Sequence, residues 1–448
     1  MKARYKYRVY PTIHQEKELS KSFGCCRVVY NDAKAYCDDL YKQNKKKPSS
    51  AELQKLFITQ AKKTPERAWL SEVSVVPLQQ SIRDLEQGYQ NFFKSTTGKR
   101  KGPKVRPPRF KKRQSAQSAR FTRNGFKIYE SRSKVYLAKI GDIKIRLSRP
   151  LPSKPSSATP SSATIIKDAA NRYFISFVVE TSAEPLPKTN KELGIDLGIT
   201  TFATLSTGEK RLSPRPLRKY QKKLARLQRK FSRSQKGSNR REKLRLKIAR
   251  LHARIKDIRL DFQHKLSTEL TKKYDSITLE NLKPSNMMRN HKLAKHIADA
   301  GWRQFRTLIE AKCAKYDREL TVISQWEPTS QKCSVCGFRG GKKKLDVREW
   351  KCINCGAVHD RDVNAAINIL NTGSKTKALE SQPVINTDVS LENDNAVQLD
   401  LFSKDTSVKP KSGKQQRRTR RRSASKKSAS GSDKPATSEF FKQLSLFN

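Results

Sequence analysis

Three acidic residues that lie far apart in the chain are the first candidates for chemistry: Asp196 in GIDLG, Glu280 at the end of SITLE, and Asp362 at the start of DVNAAINIL. Carboxylate oxygens are ligands that magnesium prefers in proteins. Two strands and a helix that bring these side chains to one point would hold a pair of magnesium ions about 4 Å apart. Such a pair activates water and neutralises the leaving oxygen during attack on a phosphodiester. The three acids therefore predict a phosphodiester-cleaving nuclease.

Each acid also has an ordinary explanation. Asp196 could cap a turn, Glu280 could be a surface charge at a strand end, and the HDRD segment around Asp362 could cap a helix. Taken together, the three resemble the RNase H fold, in which acids from the first strand, a later strand and a final helix converge on paired magnesium ions. We expect that arrangement here.

Four cysteines between the second and third acids predict a separate metal site. Cys333 and Cys336 form one CxxC pair, Cys352 and Cys355 form a second, and a glycine follows each pair. This spacing is typical of a zinc ribbon, in which four thiolates surround one zinc ion as a tetrahedron. Because the protein would supply all four ligands, the zinc would be structural. An iron–sulfur cluster is the alternative.

Hydrophobic patterns predict the elements that would position the acids. ELGIDLGITTFATLS predicts two strands joined at Gly198, with Asp196 on the first strand. Apolar residues at heptad-like spacing predict a helical hairpin at about residues 214–264, with Ser-Gln-Lys-Gly-Ser as its turn. YDSITLEN predicts the strand that carries Glu280, and LTVISQW predicts another strand before the ribbon. A helix is expected from Ala300 to Tyr316.

The N-terminal part has its own patterns. Apolar and basic residues alternate in KARYKYRVY, which predicts a strand that Pro11 ends, and Thr12 with Gln15 fits a capping box for a following helix. A second amphipathic helix is expected in PLQQSIRDLEQGYQNFF. Residues 99–113 are rich in cations, Pro and Gly and predict an extended basic strap, with a solvated linker as the alternative. Short runs between residues 120 and 182 predict an antiparallel barrel or small sheet.

Composition indicates the kind of partner. The chain has 97 Lys and Arg against 41 Asp and Glu, a formal charge of +56 over 448 residues, and would repel itself unless a polyanion neutralised it. Nucleic acid is the expected partner.

No run approaches 18 apolar residues and no apolar stretch follows the basic N-terminus, so we expect neither a membrane span nor a secretory signal. The remaining cysteines are expected to be buried thiols of an intracellular protein. They are Cys25, Cys26, Cys37 and Cys313.

Several motifs resemble those of the TnpB family, the transposon-encoded RNA-guided nucleases related to type V CRISPR effectors. They occur in the family's order between residues 2 and about 372 and are RYKYRVYPTIHQEKEL, FGCCRVVYN, PLQQSIRDLEQGYQNFFK, PRFKK, GIDLGITTFA, LENLKPSNM, the ribbon and HDRDVNAAINIL. The resemblance implies a RuvC-like domain in which Asp196, Glu280 and Asp362 hold two magnesium ions. It also implies that this single active site cuts both strands of a DNA target.

The resemblance also implies the partners. A guide RNA from the transposon end would pair with one strand of a double-stranded DNA target, and the protein would read a short target-adjacent motif in the duplex. The location implied is the bacterial cytoplasm, at the nucleoid. Val75 stands where a relative has lysine, so the identity of that motif is left open. Residues expected to contact nucleic acid, by family position or because they lie in the basic strap, are Gln79, Thr122, Asn124, Lys111, Lys112 and Arg113.

On these grounds the fold class is a multidomain α/β protein. The expected parts are a wedge β-barrel domain (1–11 and 118–185), a helical recognition lobe with the strap (12–117), an RNase H-like RuvC domain with the helical hairpin (190–330), the zinc ribbon (331–358), a RuvC C-terminal helix (359–372) and a disordered basic tail (373–448).

The tail contains two similar pentapeptides, QLDLF and QLSLF, that resemble the short peptide by which bacterial proteins bind the replicative sliding clamp. In an apolar-poor segment, Leu and Phe grouped in this way suggest anchors for a partner. We hypothesise that the tail tethers the protein to the clamp through two weak sites; chance similarity in a polar tail is the alternative. The anchor residues are Gln398, Leu401, Phe402, Gln443, Leu446 and Phe447.

Other classes of protein are alternatives. A compact type V CRISPR effector would differ from a TnpB protein only in the neighbouring DNA. A nuclease-inactive RNA-guided repressor would keep the basic surfaces and lose the acids, which are all present here. A DDE transposase would share the nuclease fold but require a separate DNA-reading module. A structural RNA-binding protein would account for the charge and leave the acids without a role.

Overall fold

The computed structural model describes residues 2–100, 102–114, 116–152, 160–344 and 346–380. The strands are β1 (Lys2–Tyr10), β2 (Gln117–Thr122), β3 (Phe126–Tyr129), β4 (Lys134–Leu137), β5 (Gly141–Arg146), β6 (Ser162–Lys167), β7 (Tyr173–Glu180), β8 (Glu192–Asp196), β9 (Ala203–Leu205), β10 (Lys210–Arg211), β11 (Ser276–Glu280), β12 (Glu319–Ile323), β13 (Glu349–Lys351) and β14 (Val358–Asp360). The α-helices are α1 (Ile13–Lys42), α2 (Ser50–Gln54), α3 (Val75–Thr96), α4 (Pro216–Ser232), α5 (Asn239–Lys273), α6 (Pro284–Met287), α7 (His291–Ala300), α8 (Trp302–Tyr316) and α9 (Arg361–Glu380). Short 3-10 or π-helical turns occupy Lys55–Gln60, Ala61–Lys63, Ala68–Glu72 and Arg123–Gly125.

The first strand lies inside a seven-stranded antiparallel sheet of order β2-β6-β7-β1-β5-β4-β3. Tyr5 is opposite Phe177 of β7, and Val9 is opposite Ile145 of β5. Tyr7 and Val9 are buried while alternate basic residues remain accessible, as the period-two pattern predicted. Within the described residues the two edge strands, β2 and β3, do not pair with each other. The sheet is therefore an open half-barrel, which lies between the two expected forms, an antiparallel barrel and a small sheet.

Helices inserted between β1 and β2 pack on this sheet. α1 begins with the predicted capping box, in which the Thr12 hydroxyl accepts the Gln15 N–H (3.3 Å) and the Gln15 side chain accepts the Thr12 N–H (3.0 Å). α1 and α3 contact each other and β2. The described residues of the strap that follows α3 form no regular element, as expected. The four cysteines outside the ribbon are buried, also as expected: Cys25, Cys26, Cys37 and Cys313.

A second, mixed sheet has the strand order β10-β9-β8-β11-β12. β8, β11 and β12 are parallel, and β9 turns back antiparallel to β8. The turn between β8 and β9 contains Gly198, whose N–H donates to the carbonyl of Phe202 (3.3 Å). Apolar side chains of α5 and α8, among them Leu270 and Phe305, are fully buried against this sheet. The predicted strands and the predicted α8 are thus confirmed.

α9 contacts the same sheet at two glycines. A Cβ on Gly194 of β8 would lie 2.2 Å from the carbonyl oxygen of Ala366, and a Cβ on Gly373 of α9 would lie 2.4 Å from Oγ1 of Thr278 in β11. Only hydrogen fits at either position, so α9 contacts the backbone of β8 at Gly194 and the Thr278 side chain of β11 at Gly373. The expected end of the helix at residue 372 is wrong: because Gly373 is buried on β11, α9 continues to Glu380.

The helical hairpin is α4 and α5, joined by a turn at residues 233–238. The buried residues of its seam are Leu224, Ile248, Leu251 and Ile255, with Leu217, Tyr220, Leu227 and Phe231 packed beside them. The predicted seam is confirmed, although α5 extends beyond residue 264 into the core of the second sheet. The carboxylate of Asp299 in α7, a helix that was not predicted, accepts the N–H of Leu217 (3.0 Å) and so anchors the start of α4. In the described part of the chain, no helix is long and apolar enough to cross a membrane.

Candidate active site and metal centre

Two of the candidate acids lie at the carboxyl ends of neighbouring parallel strands. Ile195 of β8 is opposite Leu279 of β11, so the next residues, Asp196 and Glu280, end two neighbouring strands, whose backbones are spaced by about 4.8 Å. Both side chains are half-buried. The apolar residues that precede each acid are fully buried in the sheet, which fixes the register and therefore the position of both carboxylates.

The third acid lies in the first turn of α9. Asp362 is one helical turn before Ala366, which contacts Gly194 of β8. The helix is capped by Asp360, whose Oδ1 accepts the N–H groups of Asp362 (3.1 Å) and Val363 (3.0 Å). In the HDRD segment, the residue that caps the helix is therefore Asp360. The carboxylate of Asp362 does not cap the helix and is available for another role.

The pKa of Asp196 shows that the other two acids are close enough to act on it. Burial, then the negative charge of Glu280, then that of Asp362 raise the pKa of Asp196 to about 7. Burial also raises the pKa of Glu280, while a hydrogen bond from the hydroxyl of Thr329 to Oε1 of Glu280 (2.7 Å) acts in the opposite direction. Like charges in a half-buried site repel each other, and bound cations would relieve that repulsion.

These residues fit magnesium by donor type. Magnesium takes oxygen ligands and is usually held by a few carboxylates together with water and phosphate oxygens. In the described part of the chain, the group of side chains placed to hold a single metal ion is the four ribbon cysteines, and the three acids do not form such a group. Two ions about 3.5–4 Å apart can be held by carboxylates that are further apart than the ligands of a single ion.

The structure adds residues that sequence reasoning missed. Arg348, which precedes β13, lies 3.4 Å from Oδ2 of Asp362, and Thr329 holds Glu280. Asn364 and Asn368 are almost fully buried in α9 and hydrogen-bond the segment that enters the ribbon. Their spacing of four residues among Ala and Ile on a helix face is a signal that could have identified the two asparagines, because buried amides require partners.

The four ribbon cysteines form the predicted metal centre. Their sulfur atoms all lie within 4.8 Å of one another, with Sγ of Cys333 3.7 Å from Sγ of Cys355 and Sγ of Cys336 3.7 Å from Sγ of Cys352. A tetrahedron with zinc–sulfur bonds of about 2.3 Å has edges of about 3.8 Å. The cluster is therefore consistent with one structural zinc ion.

Two matching knuckles build this centre. Gly337 donates its N–H to the carbonyl of Cys333, and Gly356 donates to that of Cys352, each at 2.9 Å. Both glycines have positive φ, 75° and 73°, which explains why glycine follows each CxxC pair. Nε2 of His359 lies 3.0 Å from Sγ of Cys333, so a ring N–H can donate to the ligand sulfur.

The expected motif-reading residues lie where α3 meets the turn after β2. A Cβ on Gly125 would be 3.4 Å from Cγ1 of Val76, so this turn, with Thr122 and the exposed Asn124, packs against the first turn of α3. Gln79 lies one helical turn after Val76 and is half-buried. The role of these residues stays a prediction.

The strap is less uniform than its composition suggests. Lys112 and Arg113 are exposed, whereas Lys111 is half-buried, with Nζ 4.0 Å from the centroid of the Tyr30 ring and with a lowered pKa because of burial. Its backbone exchanges two hydrogen bonds with the side chain of Asn31. Lys111 therefore fixes the strap to α1, and its contact with nucleic acid, like that of Lys112 and Arg113, stays a prediction. The clamp-like residues 398–402 and 443–447 lie outside the described residues.

A basic chain with acids at the ends of adjacent strands of a mixed sheet, together with a four-cysteine ribbon, has the features expected of a nucleic-acid-binding protein with two candidate metal centres. Family models agree with this class. "Probable transposase" (OrfB_IS605) matches residues 176–291, "Cas12f1-like, TNB domain" matches residues 302–369, and "Helix-turn-helix domain" matches residues 1–46.

Relatives cover most of the chain. A "Putative RNA-guided DNA endonuclease" of Streptomyces pristinaespiralis is 45% identical over 385 residues, which are 84% of this chain and 91% of that protein. The "Putative RNA-guided DNA endonuclease InsQ" of Escherichia coli (strain K12) is 31% identical over 385 residues, 82% of this chain and 92% of that protein. The chain belongs to the TnpB/OrfB_IS605 family, and the resemblance predicted from its motifs is confirmed.

The chain also aligns with a solved structure. The structure entitled "Cryo-EM structure of the Cas12f1-sgRNA-target DNA complex" aligns with a TM-score of 0.48 at 13% identity, covering 83% of this chain and 99% of that chain. The residues matched by "Helix-turn-helix domain" are, in the described range 2–46, a strand followed by one unbroken helix, α1. Residues 2–46, all of them described, thus have no helix-turn-helix geometry.

Proposed function

We propose that this chain is an RNA-guided DNA endonuclease of the IS605 transposon group, and that it hydrolyses phosphodiesters with two magnesium ions held by Asp196, Glu280 and Asp362. The observation that supports the proposal best is the placement of the acids: Asp196 and Glu280 end adjacent parallel strands, and the negative charges of Glu280 and Asp362 both act on Asp196. The order of these elements, a first strand, a later strand and a final helix, supports an RNase H-like nuclease. The family relationship supports DNA as the substrate.

The chain's residues would control where cleavage occurs. When bound, the magnesium ions would supply a water nucleophile of lowered pKa and neutralise the leaving oxygen. The register between β8 and β11 holds Asp196 and Glu280 at a fixed separation, and the cap by Asp360 fixes the start of α9 with Asp362. Arg348 lies 3.4 Å from Asp362 and would place a positive charge beside the phosphate.

The charge distribution supports a guide RNA as the partner that the protein holds throughout. α4 contains no acidic residue. Its exposed cations are Arg218, Lys219, Lys222, Lys223, Arg226, Arg229 and Lys230. A helix of this kind suits contact with the phosphates of RNA or of the guide–target heteroduplex, whose sequence the protein does not need to read. In this proposal, the half-barrel and the helices of residues 12–117 form the wedge and recognition lobe that bind the target-adjacent motif.

Substitution of one acid tests the function. We expect Asp196→Ala to abolish magnesium-dependent cleavage of a DNA target by the protein purified with its guide RNA, because the centre loses a ligand. Guide RNA content and DNA affinity should stay near the wild-type values, because the basic surfaces do not change. Cleavage by Asp196→Ala at the wild-type rate would refute the proposed site.

A matched control removes the same group elsewhere. Asp39→Ala deletes an exposed carboxylate of α1 that pairs with the neighbouring Lys42 side chain at 3.0 Å, and it changes the net charge by the same amount. Surface ion pairs of this kind contribute about 0–1 kcal/mol. We expect Asp39→Ala to cleave like the wild type, so a loss that appears only in Asp196→Ala is attributable to the site.

A further inference from the structure

Three polar side chains join the zinc ribbon to the candidate acids. Thr329, in the segment between β12 and the first knuckle, is 6% exposed, and its hydroxyl hydrogen-bonds Oε1 of Glu280 at 2.7 Å. The carbonyl of the same threonine accepts a hydrogen bond from Nδ2 of Asn368 in α9 at 2.8 Å. One residue therefore connects the strand of Glu280 to the helix of Asp362.

The second asparagine holds the backbone on both sides of a zinc ligand. Asn364, 1% exposed and two residues after Asp362, donates from Nδ2 to the carbonyl of Lys332 (2.7 Å) and accepts at Oδ1 the N–H of Ser334 (2.8 Å). Lys332 and Ser334 flank Cys333. Asn368 also donates to the carbonyl of Lys332, at 2.9 Å.

Thr329, Asn364 and Asn368 are buried, so their hydrogen bonds constrain the segments that they join. A buried amide or carbonyl without a partner costs free energy, so side chains that satisfy several such groups hold their segments in one arrangement. Asn364, through Oδ1 and Nδ2, and Asn368, through Nδ2, hydrogen-bond the segment of residues 329–334, while the opposite face of α9 contacts β8 at Gly194. A shift of the first knuckle would therefore move Thr329 and the first two turns of α9.

We propose that Thr329, Asn364 and Asn368 are positioning residues through which the zinc ribbon sets the separation of Glu280 and Asp362, a role that rests on the proposed function of those acids. The ribbon is then part of the catalytic apparatus, because its folding determines where two carboxylates stand. None of the three side chains needs to touch the substrate. Their action is through the acids and the knuckle.

A pair of variants at Thr329 tests the contact with Glu280. Thr329→Val keeps the shape and removes the hydroxyl, whereas Thr329→Ser keeps the hydroxyl and removes a methyl group. We expect Thr329→Val to weaken binding of Mn²⁺ alone, measured by calorimetry on the RNA-loaded protein, by about tenfold, with a matching rise in the Mg²⁺ concentration required for half-maximal cleavage. Thr329→Ser should restore both, and zinc content and guide RNA binding should be unchanged in both variants.

A second measurement does not depend on cleavage. We expect Asn364→Ala to accelerate hydrogen–deuterium exchange in residues 329–334 and at the start of α9, and removal of zinc with a chelator to do the same in the wild type. If the wild type neither binds Mn²⁺ nor cuts DNA while these exchange changes appear, the proposed function is refuted, but the structural connection between the zinc ribbon and α9 is supported. If the wild type cuts DNA, but Thr329→Val matches it or Thr329→Ser is equally impaired, the positioning role is overturned. Unchanged exchange in Asn364→Ala would also overturn it.

Discussion

Substitution of Gly194 by alanine should impair cleavage by displacing α9 from the sheet. A Cβ at this position would lie 2.2 Å from the carbonyl oxygen of Ala366 and 2.7 Å from the backbone nitrogen of Leu370. Both are backbone atoms, so no side-chain rotation relieves the contact. To reach a tolerable separation the helix must move by about 1 Å away from β8. Asp362 is in the first turn of that helix, and it would move with it.

The size of the effect follows from this displacement. A misplacement of about 1 Å in a catalytic constellation can cost about 10²-fold in rate. Overpacking costs about 1–3 kcal/mol of stability, which a folded domain can tolerate. We therefore expect Gly194→Ala to cut a DNA target about 10²-fold more slowly than the wild type in a single-turnover assay, with its guide RNA and zinc retained. Wild-type cleavage by this variant would refute the contact between α9 and β8.

A glycine elsewhere in the chain provides a control for folding. Gly24→Ala makes the same change in α1, where the nearest atom to the new Cβ is 4.0 Å away, and helical alanine should stabilise the protein by about 0.5–1 kcal/mol.

Gly373→Ala should resemble Gly194→Ala, because its Cβ would lie 2.4 Å from Oγ1 of Thr278. Here the obstacle is a side chain, so adding Thr278→Ala should restore part of the activity. A double variant no better than Gly373→Ala would contradict the geometry.

Two other predictions concern nucleic-acid contacts. Replacing Lys222 and Lys223 of α4 by alanine should weaken guide RNA binding, and filter binding at several salt concentrations measures the effect. The slope of log K against log salt should fall by up to about 2, because each lost phosphate contact removes about 0.7–0.9. An unchanged slope would show that the RNA binds elsewhere. Trp326 is 83% exposed in the segment after β12, the strand that pairs with the Glu280 strand. Trp326→Ala should weaken binding of single-stranded DNA by about 1–3 kcal/mol, measured by fluorescence anisotropy, because a stacking surface for a base is lost. Trp326→Phe should have an intermediate affinity. Equal affinity of all three proteins would remove the stacking role.

The sequence could predict elements whose signal is local. β8, β11 and the hairpin follow from apolar periodicity, and the CxxC spacing indicates the metal centre without reference to any other part of the chain. Asp196 and Glu280 could be paired because each ends a buried strand, and ends of parallel strands meet at one edge of a sheet. These features depend on residues that are neighbours in the chain.

Features that depend on distant partners were missed. Nothing near Gly373 indicates that the helix continues there, because the reason is Thr278 on β11. Lys111 appears in the sequence as one cation among many, and only its contacts with Tyr30 and Asn31 distinguish it from its neighbours. Arg348 likewise gains its meaning from the position of Asp362. In each case the missing information is which surface the residue faces.

The position of the ribbon in the chain explains why its metal matters for the site. Residues 324–360 connect β12 to α9 and contain, where described, only the short strands β13 and β14. Closing a loop of this length costs about 3 kcal/mol, and binding of zinc can supply on the order of 10 kcal/mol. Cys352→Ser should therefore lower zinc content and folded yield, and protein that remains folded should cut DNA more slowly, because α9 is no longer held at its first turn. Zinc analysis and a cleavage assay on the soluble fraction check this. Full activity without zinc would show that the contacts of α9 with β8 and β11 suffice to hold Asp362, and the ribbon would then be free to serve DNA binding alone.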